Sequence, residues 1–124
     1  IDDTYNANLE STLAAIDYLS AFSGEGKKIF VFGDMLELGS LSEDQHISVG
    51  KKCDESELSA VLTYGKETLA TNSAIENINI NQHFNSKDEL IDCLNQIISS
   101  NDKILIKGSR GMRMETIVER VLDI

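Results

Sequence analysis

Three short segments hold the side chains best suited to chemistry: Asp2-Asp3-Thr4-Tyr5-Asn6-Ala7-Asn8, Gly33-Asp34-Met35-Leu36-Glu37-Leu38-Gly39 and Lys107-Gly108-Ser109-Arg110-Gly111-Met112-Arg113. In the first, Asn8 can cap a following helix, and the helix start can present backbone amides to an anion. Asn6 and Asn8 can equally serve the helix alone. In the second, Asp34 stands directly after an apolar run. A carboxylate there can accept hydrogen bonds from a ribose, or it can stabilise its own turn as an Asx motif. In the third, Gly108 and Gly111 permit close backbone approach, Arg110 can grip a carboxylate or phosphate through two parallel bonds, and Ser109 can add another. Lys107 and Arg113 would support an anion there. The alternative is an exposed turn with flanking charges.

Several chemistries are missing. No G-x-x-x-x-G-K-[ST] loop cradles phosphates, and no G-x-G-x-x-G is present. The Gly24-Glu25-Gly26-Lys27-Lys28 stretch leads into a strand, which is the wrong context. His46 and His83 have no evident triad partners and read as structural or exposed. Cys53 and Cys93 are far apart, with no ligand spacing around them, and read as free thiols. The formal net charge of −10 disfavours nucleic acid and anionic lipid as partners. In such a chain, cations gathered at Lys107, Arg110 and Arg113 gain weight as an anion-binding edge.

Those segments need strands and helices to hold them. Lys28–Gly33, Ser59–Gly65 and Lys103–Gly108 are apolar runs closed by glycine, the pattern of central strands in a parallel sheet. Ile78–Phe84 is a weaker strand, and Ile1-Asp2-Asp3 reads as a strand end, as if the chain were cut from something longer. Leu9, Leu13, Ile16 and Leu19 predict a helix over 8–22. Ser42-Glu43-Asp44-Gln45 and Ser86-Lys87-Asp88-Glu89 match the capping-box pattern. The second leads into the apolar stripe of Leu90, Ile91, Leu94, Ile97 and Ile98. Met114, Ile117, Val118, Val121 and Leu122 predict a last helix. Alternating strands and helices in 124 residues predict one three-layer, Rossmann-like α/β domain, a mostly parallel sheet with helices on both faces. Ligands in such folds bind at the C-terminal strand ends, where all three segments lie. No signal peptide or membrane span is recognisable, so the expected compartment is the cytoplasm.

Together the three segments resemble the C-terminal domain of the Mur ligases, specifically of those that join D-Ala-D-Ala to UDP-N-acetylmuramoyl-tripeptide. The first segment is similar to that family's D-D-[ST]-Y-N-A-N-P, the second to its G-D-M-x-E-L-G, and Lys107–Glu115 to its K-G-S-R-x-x-x-M-E. Glu43, His46, Val49 and Gly50 continue the second as the family does. Leu9 replaces the family's proline at the first helical position, which a good helix former should tolerate. The resemblance implies that residues 1–124 are one domain of a longer, ATP- and Mg²⁺-dependent enzyme of peptidoglycan precursor synthesis. Its N-terminal UDP-binding domain and central ATPase domain would be the partners, and this domain alone would be inactive. In such enzymes the tripeptide carboxylate is phosphorylated, and the amine of D-Ala-D-Ala then displaces the phosphate. The resemblance places Tyr5, Asn6, Asn8 and Asp34 toward ATP, and Ser109 and Arg110 toward the dipeptide. It assigns no catalytic or metal-binding residue to this segment.

Two other readings share parts of the pattern. A receiver domain has this length, an early acidic pair such as Asp2-Asp3 and a late lysine such as Lys107, but its phosphoacceptor should end the third strand, where Tyr64-Gly65 stands. A stand-alone nucleotide-binding module would need a complete phosphate site, which is not recognisable.

Overall fold

The computed structural model describes residues 2–3, 8–109 and 112–114. Five parallel strands form one sheet in the order β1-β5-β2-β3-β4: β1 (Asp2–Asp3), β2 (Lys28–Gly33), β3 (Ala60–Tyr64), β4 (Ile80–Phe84) and β5 (Lys103–Lys107). The helices are α1 (Leu9–Ser20), α2 (Ser42–Asp54), α3 (Leu69–Ala74) and α4 (Lys87–Ile97), with a 3₁₀ turn at Gly39–Leu41 before α2.

The period-2 alternation of the strands divides the core into two layers. Phe30, Phe32, Val61 and Leu105 face one side, where Ala15, Ile16 and Leu19 of α1 and Val49 and Cys53 of α2 cover them. Ile29, Val31, Ala60, Leu62 and Ile106 face the other, against Leu90, Ile91 and Leu94 of α4. Strands buried on both faces must be apolar throughout, which is why β2 reads Ile-Phe-Val-Phe without a polar break. The Phe30 and Phe32 rings stack with centroids 5.3 Å apart.

Chain order along the sheet reverses at β5, which lies between β1 and β2. That reversal is the switch point at which open α/β sheets leave a crevice beyond the strand ends. The described ends of β1, β5 and β2 lie side by side at this point.

Helix starts follow the sequence closely in two cases. Asn8 caps α1: its Oδ1 accepts from the Ser11 amide at 2.8 Å, and the Ser11 hydroxyl accepts from the Asn8 amide at 3.3 Å. Leu9 therefore begins the helix without proline. Ser86 caps α4 by accepting from the Glu89 amide at 3.4 Å. The third case is different. The capping box expected at Ser42 does not form, because the 3₁₀ turn runs straight into α2 and leaves Ser42 already helical, at φ −57° and ψ −51°. Its hydroxyl instead donates to the Glu67 carboxylate at 3.2 Å. Helix α3 is an addition, since six residues are too few to show a clear apolar period. The helix expected from Met114 to Leu122 lies outside the described residues, apart from Met114 itself.

Candidate functional site

Asp34 leaves β2 into the centre of the rim and is 3% exposed. Its carboxylate accepts three backbone N–H groups from the segment after β3: Lys66 at 3.0 Å, Glu67 at 3.0 Å and Thr68 at 2.9 Å. Three successive amides aimed at one carboxylate make an anion nest, here filled by a residue of the chain itself. Gly65 opens the nest at φ +120°, and a Cβ at that position would collide with the Asp34 carboxylate. The sequence left Asp34 open between ribose contact and turn motif. The structure shows its carboxylate engaged within the protein, by amides more than thirty residues away.

Ser109 ties the end of β5 to the same loop. Its amide donates to the Asp34 carbonyl at 3.0 Å, and its hydroxyl accepts from the Leu36 amide at 2.8 Å. Gly108 leaves room for the buried Met114 side chain, which a Cβ at Gly108 would strike, and Met114 also fills the space beside Gly33. Thus the ends of β2, β3 and β5 are knitted together through Asp34 and Ser109. The start of α1 joins them where the Thr12 hydroxyl meets Met35 Sδ at 3.7 Å.

The cations do not form one exposed cluster. Lys107 is fully buried, in register with Asp3 of β1 and Phe32 of β2. Arg113 is exposed, with φ +53°, and its carbonyl accepts from the Lys87 ammonium at 3.0 Å. Tyr5, Asn6 and Arg110 lie outside the described residues. Asn8 is exposed at the rim and spends Oδ1 on its capping bond, while its amide nitrogen carries two further donors.

Sequence reasoning read His46 as structural or exposed, and it is structural: it organises the loop after β2. It is wholly buried, its Nε2 accepts from the Met35 amide at 3.0 Å, and its Nδ1 lies 2.7 Å from the Ser42 carbonyl. His83 sits beside the nest from β4, with Nδ1 2.8 Å from the Thr63 hydroxyl. Burial lowers its pKa, partly offset by the Asp34 charge and by a bond to the Gly65 carbonyl. The only early signal for His46 was its place in the motif that continues Gly33–Gly39.

An open groove of about 500 Å³ runs between α2 and α3, lined by residues such as Glu43, Ile47, Lys66 and Leu69. It adjoins the nest but includes neither Asp34 nor Ser109, so the crevice at the switch point remains the better candidate on chemical grounds. Among the described residues no group of three His, Cys, Asp or Glu side chains could hold a metal ion. Among them, too, no helix is long and apolar enough to cross a membrane.

Comparison with known proteins identifies the family and the fold. The family model described as "Mur ligase, glutamate ligase domain" matches residues 1–110. The UDP-N-acetylmuramoyl-tripeptide–D-alanyl-D-alanine ligase of Escherichia coli is 38% identical over 99% of the chain, and that of Bacillus subtilis is 36% identical over 99%. The chain spans only 26% and 28% of those two relatives. Among solved structures, the MurF ligase of Thermotoga maritima in complex with ADP superposes with a TM-score of 0.81 at 30% identity, covering 97% of this chain and 27% of that one. The MurF ligase from Acinetobacter baumannii, in one of its crystal structures, gives a TM-score of 0.83 at 29% identity, covering 100% of this chain and 28% of that one.

Proposed function

The chain belongs to the Mur ligase family as its C-terminal domain, and from that premise we propose that it serves an ATP-dependent ligase joining D-Ala-D-Ala to UDP-N-acetylmuramoyl-tripeptide. The observation that carries this reading is the rim at the switch point, where Asp34 and Ser109 bind the ends of β2, β3 and β5 into one rigid edge. Residues 1–124 act as one domain of a longer enzyme whose remaining domains supply the phosphate site and the UDP site. Relatives nearly four times as long, and an ADP-bound relative of the same fold, support this.

In this reading the domain orients rather than reacts. The tripeptide carboxylate is activated as an acyl phosphate. The amine of the dipeptide attacks it, and phosphate leaves as the amide forms. Orientation of two reactants can lower a barrier by about 7–11 kcal/mol in ideal cases. Tyr5, Asn6 and Asn8 are assigned to nucleotide binding in this reading. Asn8 fits that place because its side-chain amide can still donate after capping. Asp34 keeps one acceptor site on Oδ2 after taking its three amide bonds, but it is 3% exposed, so it serves the nucleotide edge chiefly by holding the loop. Ser109 and Arg110 receive the dipeptide. Ser109 can still donate its hydroxyl proton while accepting from Leu36. Arg113 lends positive charge from the exposed side, and Lys107 acts from within the fold. Mg²⁺ is assigned to none of the described residues. The setting is cytoplasmic precursor synthesis.

The direct test is a coupled assay on the longer enzyme that contains this domain. ADP release should require both UDP-tripeptide and D-Ala-D-Ala, and the 124-residue chain alone should release none. ADP release indifferent to D-Ala-D-Ala would overturn the assignment.

A further inference from the structure

We infer that His46 is a positioning residue: it fixes the loop after β2, and through that loop the Ser109 hydroxyl. Its tautomer follows from its partners. The Met35 amide can only donate, so Nε2 must accept and carries no proton. The Ser42 carbonyl can only accept, so the proton sits on Nδ1. The ring is wholly buried, and the Phe32 ring lies 5.8 Å from it, centroid to centroid. It therefore acts as a fixed strut between the first turn of α2 and the backbone at Met35.

The loop needs such a strut. Between Met35 and α2 it passes through Glu37 at φ +64° and Gly39 at φ +59°. A non-glycine residue in the left-handed region costs energy and persists only where its surroundings hold it. Successive amides on this loop are held by side chains from elsewhere: Met35 by His46 and Leu36 by Ser109. Ser42 adds a third link, since its hydroxyl also reaches Glu67, whose amide is bound to Asp34. Releasing the Met35 amide would loosen Leu36, and Ser109 would lose the partner that orients its hydroxyl. What the loop does for the substrate rests on the ligase reading; how the loop is held rests on geometry alone.

Two side chains separate the two ring nitrogens. Asparagine places a donor near Nδ1 but has nothing at Nε2, whereas glutamine can place an acceptor near Nε2. In the 124-residue chain, His46→Asn should speed hydrogen exchange at Met35 and Leu36 by about tenfold, the loss of roughly one hydrogen bond, and His46→Gln should restore most of the protection. In the longer enzyme, His46→Asn should raise KM for D-Ala-D-Ala by about tenfold and KM for ATP by less than about twofold, with recovery in His46→Gln. Nitrogen NMR of the unaltered chain gives a check that needs no variant, and should find the proton on Nδ1. A proton on Nε2, loop exchange unchanged in His46→Asn, or an equal rise in both KM values would overturn the inference. Failure of the ligase reading would look different: the unaltered enzyme would show no dipeptide-dependent turnover, while the exchange result would stand.

Discussion

Gly65 meets the Asp34 carboxylate where only a hydrogen fits: a Cβ built on Gly65 overlaps both carboxylate oxygens, and the backbone there is at φ +120°. The absence of a side chain at one residue thus allows three amides, from Lys66 to Thr68, to close on the other. Gly65→Ala should destabilise the chain by about 2–3 kcal/mol, from the collision and the unfavourable φ together. Asp34→Asn removes the charge but keeps one acceptor oxygen and should cost about 1.5–3 kcal/mol. Asp34→Ala should cost more than either. Urea denaturation followed by circular dichroism measures all three, and an Asp34→Ala variant as stable as the parent would refute the nest.

At the start of α1, Asn8→Ala should cost about 1 kcal/mol, since it removes a capping bond and half of a reciprocal pair. Leu9→Pro should shift stability by no more than about 1 kcal/mol. Proline suits the first helical position, but the change gives up packing of Leu9 on the core. A loss above about 3 kcal/mol in thermal or urea unfolding would mean that Leu9 is required here.

Asp102 makes one part of stability depend on pH. Burial opposes its charge, but the amides of Lys27 and Ser99, at 2.7 and 2.9 Å, and the Lys27 ammonium at 3.2 Å outweigh burial and hold its pKa below the usual 3.8. A carboxyl with a depressed folded pKa stabilises above its unfolded pKa, and the contribution disappears as pH falls through the folded one. The stability gap between the parent and Asp102→Asn should therefore be full at pH 6 and shrink below about pH 4. A gap independent of pH would disprove the ion-pair account.

The thiols should be slow to react. Burial, and then the neighbouring Asp54 carboxylate, push Cys53 up to about 12, and burial also raises Cys93. Only the thiolate attacks. Titration with a chromogenic disulfide at pH 8 should label Cys93 slowly and Cys53 only on unfolding. Rapid labelling of Cys53 in the native chain would contradict its burial.

Thr68 has a buried hydroxyl that finds no partner among the described residues. Thr68→Val keeps the shape and removes the stranded polar group, so it should raise stability by about 1 kcal/mol. A marked loss in thermal unfolding would show that the hydroxyl is satisfied after all.

For function, Arg110→Ala in the longer enzyme should raise KM for D-Ala-D-Ala more than KM for ATP, because a guanidinium pair with the dipeptide carboxylate would be lost. Unchanged dipeptide kinetics would remove Arg110 from the proposed site.

Sequence alone determined the layers of this protein. Apolar runs such as Ile29–Phe32, which tolerate no polar break, require burial on both faces, and the stripe of Leu90, Ile91 and Leu94 supplies one cover. The caps at Asn8 and Ser86 were equally legible, because a cap bonds an amide three residues on and so is written locally. The family motifs brought the three rim segments under one reading. Tertiary structure decided which way the polar groups of that rim face. Asp34 turns inward to amides thirty-two to thirty-four residues away, and Ser109 reaches Leu36 across seventy-three. His46 proves to be a strut and Ser42 a link to Glu67 rather than a cap. A hydrogen bond depends on distance and direction in space, and one between residues remote in the chain leaves no local pattern to read.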